Sequence, residues 1–270
     1  MVDSRRTRLP SVKYILTDCR HGKFLANPSD EYIGTSLIKY GEYSEFELDL
    51  IRQVLPANGS VIEVGANIGA HTVPMAKLLK DLSRLYAIEP QPVIFQNLCA
   101  NLALNGITNA YTYNAVCGSC SGNIWFPDID YSQKSNFGGV SPDNLPVSDA
   151  GRSVEVMTID SLKIPDLRFL KIDVEGWELE VLKGAVTTIT KCTPIIYLEN
   201  DRAEKSAALI KHIAEMGYRM WWHRPRLFNP DNWRKTQENL WPNMISKNML
   251  CIHTSQSIVI NGLVEVSLPD

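Results

Sequence analysis

The sequence predicts an α/β fold in which a parallel sheet carries helices on both of its faces. Three observations lead there. From Ser60 onward, apolar runs rich in β-branched residues alternate with longer stretches of helical period. A glycine-bearing turn, EVGANIG at 63–69, falls directly after the first of those runs. The chain has 270 residues, 44% of them hydrophobic, enough for one good core, and no Gly/Ser/Pro-rich linker divides it.

Seven strands are expected, at 60–64, 84–88, 110–114, 168–172, 194–198, 218–223 and 248–253. Helices fill the gaps: a segment ending near Leu79, then Val93 to Asn105, Trp177 to about Thr190, and Ala203 to Met216. Asn105-Gly106 and Met216-Gly217 each place a glycine where a left-handed helix cap is wanted. Ahead of the sheet, Phe46, Leu50, Ile51, Val54 and Leu55 form the apolar stripe of an added helix. Residues 12–40 read as a small strand or hairpin with a connecting turn. The chain thus divides into an N-terminal extension, 1–43, and a catalytic domain, 44–270. The stretch from Gly118 to Arg152 is polar and rich in turn residues, with NIWF its one clear strand, and reads as a long functional loop.

A formal net charge of −3, with Arg5, Arg6 and Arg8 as the sole compact basic cluster, is a poor footprint for nucleic acid. Without a transmembrane-length apolar run or a signal-peptide core, a soluble, cytoplasmic protein is expected. The six cysteines are scattered and read as thiols. Cys117 and Cys120 make one C-x-x-C, but no second pair follows, so no metal ligands are assigned.

The glycine turn carries the sharpest chemistry. Gly65 and Gly69 let the chain turn tightly and a ligand approach the backbone. Their spacing is G-x-x-x-G, whereas dinucleotide enzymes use G-x-G-x-x-G. Glu63 would also repel a pyrophosphate, and suits a ligand bearing an ammonium group. Glu89 ends the second strand, where a carboxylate can accept both hydroxyls of a ribose. A third junction, LKIDVEGWELEVLKG at 170–184, crowds Asp173, Glu175, Glu178 and Glu180 around Gly176, at the strand end where open α/β sheets bind ligands. Glu180 reads as an anion complementing a helix dipole; Glu178 is open to either role.

EVGANIG, the Glu89-Pro90 pair, NLALNG at 101–106 and above all KIDVEGWELEVLKG resemble the FkbM-type S-adenosylmethionine-dependent methyltransferases, over roughly Gly41 to His253. The resemblance implies a Rossmann-like, mostly parallel seven-stranded sheet whose last strand is antiparallel. It implies adenosylmethionine as cofactor, and commonly O-methylation of a sugar or natural-product hydroxyl. By the same resemblance Gly65, Ala66, Asn67 and Gly69 line the methionine and ribose, Glu63 anchors through its charge, and Glu89 holds the ribose diol. Asn114 and Ala115 meet the adenine, and Asp173 sits where cofactor and substrate join. His71 faces one or the other.

Methyl transfer to oxygen needs the nucleophile held in line about 3 Å from the methyl carbon, and a base to take its proton. Asp173 and Glu175 are the first candidates, with Glu199 and His223 behind them. The segment 220–241 holds four of the six tryptophans, Trp221, Trp222, Trp233 and Trp241. Trp222 and Trp233 are candidates to stack on a sugar face, and the interleaved Arg224, Arg226 and Arg234 admit an acidic sugar or a phosphate. The partner expected is therefore a small-molecule or glycan acceptor. The alternatives are a lipid, polyketide or protein acceptor, or a nucleotide-binding oxidoreductase on a similar fold.

Overall fold

The computed structural model describes residues 11–268, except 81, 146 and 147. An antiparallel hairpin, β1 (Ile15–Cys19) and β2 (Gly22–Ala26), leads into helices α1 (Ile33–Tyr40) and α2 (Glu45–Val54). The first half of the main sheet follows as β3 (Ser60–Val64), α3 (Thr72–Leu78), β4 (Arg84–Ile88), α4 (Pro92–Leu104) and β5 (Ala110–Tyr113). An inserted unit comprises β6 (Ala115–Cys117), β7 (Gly122–Pro127) and β8 (Gly151–Met157). The second half contains β9 (Leu167–Ile172), α5 (Glu178–Lys183), α6 (Val186–Cys192), β10 (Ile195–Glu199), α7 (Ala203–Glu215), β11 (Tyr218–His223), β12 (Asn248–His253) and β13 (Val264–Glu265).

The main sheet runs β13-β11-β12-β10-β9-β3-β4-β5. The seven expected strands are all present, and β12 runs antiparallel to both neighbours. The count of seven is corrected to eight, because β13 adds two residues antiparallel to β11. So short a strand has no periodicity of its own and exists only by pairing with an edge. The chain winds outward from β3 to β5 and returns on the other side of β3 at β9. This reversal opens a crevice at the carboxyl ends of β3 and β9.

Burial follows the two-residue period of a strand. Val61 and Phe169 face one apolar layer with Val73, Leu85 and Leu98, whereas Ile62, Val64, Leu170 and Ile172 face the other with Val181, Leu198 and Ile213. β3 is buried along its whole length, as a central parallel strand covered on both faces must be.

One further expectation changes. The single helix expected over 177–190 is two, broken at Gly184 and Ala185. A Cβ on Gly184 would stand 2.0 Å from the Gly118 carbonyl oxygen, so the backbone of the inserted unit packs directly on this break. The long loop expected over 118–152 is present, with β7, which contains NIWF, as its one full strand; β7 pairs with β8 in a three-stranded sheet ordered β6-β8-β7, whose other strands lie almost wholly outside that stretch. Its strands are separated by a long connection, and their pairing is invisible to local pattern.

The hairpin is bound into the domain by asparagines of α4. Asn101 is fully buried; its amide donates to the Ile68 carbonyl at 2.8 Å and its oxygen accepts the Leu25 N–H at 2.7 Å. Asn97 donates to the Leu25 carbonyl and Asn105 to that of Lys23. Phe24 and Leu37 accordingly share one apolar cluster with Ile68 and Leu98. Truncating Asn101 orphans a backbone acceptor in the glycine turn and a donor in β2. Asn101→Ala is expected to lower the unfolding free energy by at least about 2 kcal/mol in urea denaturation, and an unchanged midpoint would refute this coupling.

Candidate active site

The crevice at the carboxyl edge of the sheet deepens into a cavity of about 540 Å³. Its floor comprises the turn after β3, Glu89 after β4, Ala115 to Cys117, Asp173 to Glu175 after β9, and Glu199 at the end of β10. Its walls come from further away in sequence: Tyr32 and Tyr43, the segment around Asn136 and Gly138, and Leu227 with Met244 to Lys247.

The glycine turn is fixed by backbone geometry. Gly65 has φ +83°, and a Cβ there would lie 1.8 Å from the Asp173 carbonyl oxygen. The first glycine is thus required by the crossing of the β3 and β9 exits as much as by a ligand. Gly65 and Ala66 donate their N–H groups to the Ile88 carbonyl, and Asp173 donates to that of Val64. Asn67, itself left-handed at φ 48°, donates its backbone N–H to Glu89 at 2.9 Å.

Glu89 receives a second backbone N–H, from Gln91 at 2.9 Å on its other oxygen. Each carboxyl oxygen keeps a further lone pair, the arrangement a vicinal diol needs. Burial pushes this carboxyl up to about 7 despite both donors. Asn114 lies behind it rather than in the cavity wall. Its amide is committed to the carbonyls of Glu89 and Pro90, which fixes the Glu89 loop and leaves Ala115 as the neighbour that lines the cavity.

Beneath the turn lies a residue that the sequence reading missed. Lys171 is 2% exposed, with its Nζ 2.9 Å from Asp173 Oδ2 and 3.9 Å from Glu63 Oε1. Burial works against its charge, but Asp173 and Glu63 outweigh it and hold the ammonium protonated. The available signal was a lone lysine inside the continuous apolar run of a central strand. Glu63 also accepts the Thr72 hydroxyl at 2.6 Å, and burial raises it to about 7. The ammonium anchor expected at Glu63 therefore already has a cation beside it. His71 also lines the cavity, packed against Tyr43; burial and the Lys171 charge lower it to about 3, leaving a neutral imidazole whose buried Nε2 is unpartnered.

Asp173, Glu175 and Glu199 converge as expected. Glu175 pairs with Arg202 at 2.6 Å, and Glu178 turns inward to accept the Gly176 N–H at 3.0 Å. Glu180 pairs with Lys183 on the surface, the bland role expected of it.

His223 and Trp222 are not brought to this cavity. They line a separate hollow with Arg224, where His223 Nδ1 lies 2.9 Å from the Tyr197 hydroxyl and the Arg224 guanidinium stacks over Trp222. Trp233, half exposed, packs over Gly41 and lines neither space. Arg234 is spent on Thr17 and the Asp18 carbonyl, and Arg226 is exposed on a bridge to Ile245. The aromatic at the lip is instead Tyr32, backed by Trp241 at 5.7 Å between ring centroids. Local pattern shows where tryptophans cluster, but not which way the chain carries them.

Because the folded Glu89 and Glu63 carboxyls bind their protons more tightly than unfolded ones, the folded state is favoured below their raised values and loses that advantage as they ionise. The unfolding free energy of the ligand-free protein is expected to fall between about pH 5 and about pH 8, and Glu89→Gln should flatten that slope. Urea titrations across the range check this; a slope identical in the variant would exclude Glu89 as its source.

Residues 63–220 match the family described as the methyltransferase FkbM domain. Over 160 residues the chain is 28% identical to methyltransferase sdnD of Sordaria araneosa, covering 48% of this chain and 61% of that protein. Over 166 residues it is 27% identical to hexuronic acid methyltransferase AglP of Haloferax volcanii, covering 56% of this chain and 61% of that one. The matches thus span about three fifths of these relatives' own length. Among solved structures, methyltransferase FkbM from Methylobacillus flagellatus KT aligns with a TM-score of 0.49 and 19% identity, over 72% of this chain and 44% of that one. No helix among the described residues is long and apolar enough to cross a membrane. With the family model covering more than half of the chain, the glycine turn and the KIDVEG junction included, this protein belongs to the FkbM methyltransferase family.

Proposed function

We propose that the chain is an S-adenosylmethionine-dependent O-methyltransferase acting on a hydroxyl of a sugar or glycan. The observation that carries this reading is the convergence, in one cavity, of a carboxylate prepared for a diol and a carboxylate cluster prepared for a hydroxyl. The cofactor fits the donor set: Glu89 for the ribose, Glu63, shared with Lys171, for the ammonium, the 65–69 turn for close backbone approach, and Ala115 to Cys117 as an apolar wall. Bound there, adenosylmethionine would supply an electrophilic methyl group, with its sulfur as the leaving group. The acceptor in this proposal is held beneath Tyr32, Tyr43 and Met244 to Lys247, and its oxygen forms the new bond to carbon.

The acceptor's proton goes to Asp173. Glu175 and Glu199 are both held above the ordinary carboxyl range, by burial first and then by the charge of Asp173, with Glu175 adding to the effect on Glu199, which makes them poor proton acceptors at neutral pH. Asp173 is 39% exposed and hydrogen-bonded to the Lys171 ammonium through Oδ2, leaving Oδ1 toward the acceptor. Solvent then takes the proton from Asp173. A sugar acceptor is supported by the aromatic lip and by the likeness to a relative described as a hexuronic acid methyltransferase.

Three outcomes test the proposal. Calorimetry should show adenosylhomocysteine binding that Glu89→Ala weakens by at least about tenfold and that NAD does not displace; tight NAD binding in its place would overturn the cofactor. Asp173→Asn should reduce kcat by at least about tenfold in a folded protein with little change in KM, and undiminished turnover would remove Asp173 as the base. In a methyl-transfer screen over sugars, nucleotide sugars, lipids and phenols, activity is expected on a saccharide; activity on lipids or phenols alone would refute the sugar acceptor.

A further inference from the structure

We propose that Asp173, Glu175 and Glu199 form the binding site of a hard divalent cation, of the magnesium or manganese class, at the floor of the cavity. One oxygen from each residue lies within 4.8 Å of the others. Oxygens ligating one such ion at about 2.0–2.6 Å stand up to about 5 Å apart, so the three can share an ion with little movement. Two come from the loop after β9 and one from the end of β10, strands hydrogen-bonded side by side, so the site is built on the rigid sheet.

The pairing of the cluster leaves it short of positive charge. Lys171 bonds Oδ2 of Asp173 and Arg202 bonds Oε2 of Glu175, while the second oxygen of each accepts no hydrogen bond among the described residues. Among the described residues no cation pairs with Glu199. Its Oε2 is sealed from solvent and has no partner among the described residues, and Asp173, Glu175, Asp201 and Glu178 all add negative potential around it. A buried polar atom without a partner is costly, and a cation at this point would satisfy it. Three carboxylate donors, with no Cys or His among them, select a hard ion over zinc. The inference deepens the methyl-transfer reading and rests on it for its role. Open to the cavity, the ion would position the acceptor hydroxyl and acidify it.

The test uses the full chain stripped with a chelator and titrated with manganese chloride, followed by loss of the free-ion electron paramagnetic resonance signal and by thermal unfolding. Binding below about 1 mM is expected, with a rise in Tm on adding manganese. Glu199→Gln, which keeps the shape but cannot supply a charged ligand oxygen, should weaken binding by at least about tenfold and abolish the Tm rise, and its own metal-free Tm should not fall. Glu175→Gln, in the other loop, provides a second variant. No binding below about 1 mM, or equal binding and equal stabilisation in wild type and both variants, overturns the site. Adenosylhomocysteine binding in the same samples separates the two readings: manganese bound through Glu199 without any adenosylhomocysteine affinity would sustain the cation site and overturn the cofactor.

Discussion

A buried ammonium holds the cavity edge of this protein together. Lys171 sits almost without solvent between Glu63, on β3, and Asp173, at the exit of β9. Removing one partner from such a group leaves an uncompensated buried charge, at a cost of about 3–5 kcal/mol. The sheet order makes the arrangement unavoidable. β3 and β9 are neighbours whose chains leave in different directions, so their exits spread and the space between them is both crevice and charge site. The Gly65 backbone crosses against the Asp173 carbonyl in the same few ångströms. Turn, ion pair and cavity are therefore one structural unit.

Around that unit the chain ends up clasped by segments distant in sequence. Ser29 and Asp30 pair with the 132–135 stretch, Gln91 donates to the Phe137 carbonyl, and Tyr131 donates to Gln91. The hairpin, the inserted sheet and the β4 exit thus brace one another over the mouth of the cavity. Polar side chains do much of this work through backbone groups, which gives the site a defined wall without a large apolar seam.

The electrostatics sort the carboxylates into different chemistries. Glu89 receives two backbone donors and is shaped as an acceptor. Glu63 is balanced by Lys171 and Thr72. Asp173, partly exposed and paired with Lys171, differs from Glu175 and Glu199, whose burial and neighbouring carboxylates favour the neutral form. Position on the sheet alone would give them similar roles; burial and partners separate them.

Much of this was legible in the chain itself. Continuous apolar runs announced the buried parallel strands, and the glycine turn with Glu63, Glu89 and the KIDVEG junction announced the ligand edge, because strand ends, tight turns and charges at fixed offsets are local properties of sequence. Partners across the sheet are not local. β13, the β6-β8-β7 pairing and the break at Gly184 each depend on a backbone surface supplied by residues far away. The same holds for direction: Trp222 and His223 lie on a strand that turns them into another hollow, Asn114 spends its amide behind the Glu89 loop, and Lys171 joins the cavity only through burial between two acids. The sequence by itself determined the α/β order, the position of the ligand edge and the acidic chemistry placed there. Only the tertiary structure decided which side chains face the cavity and which carboxylates are paired, since orientation, burial and charge balance come into being when separate strands pack together.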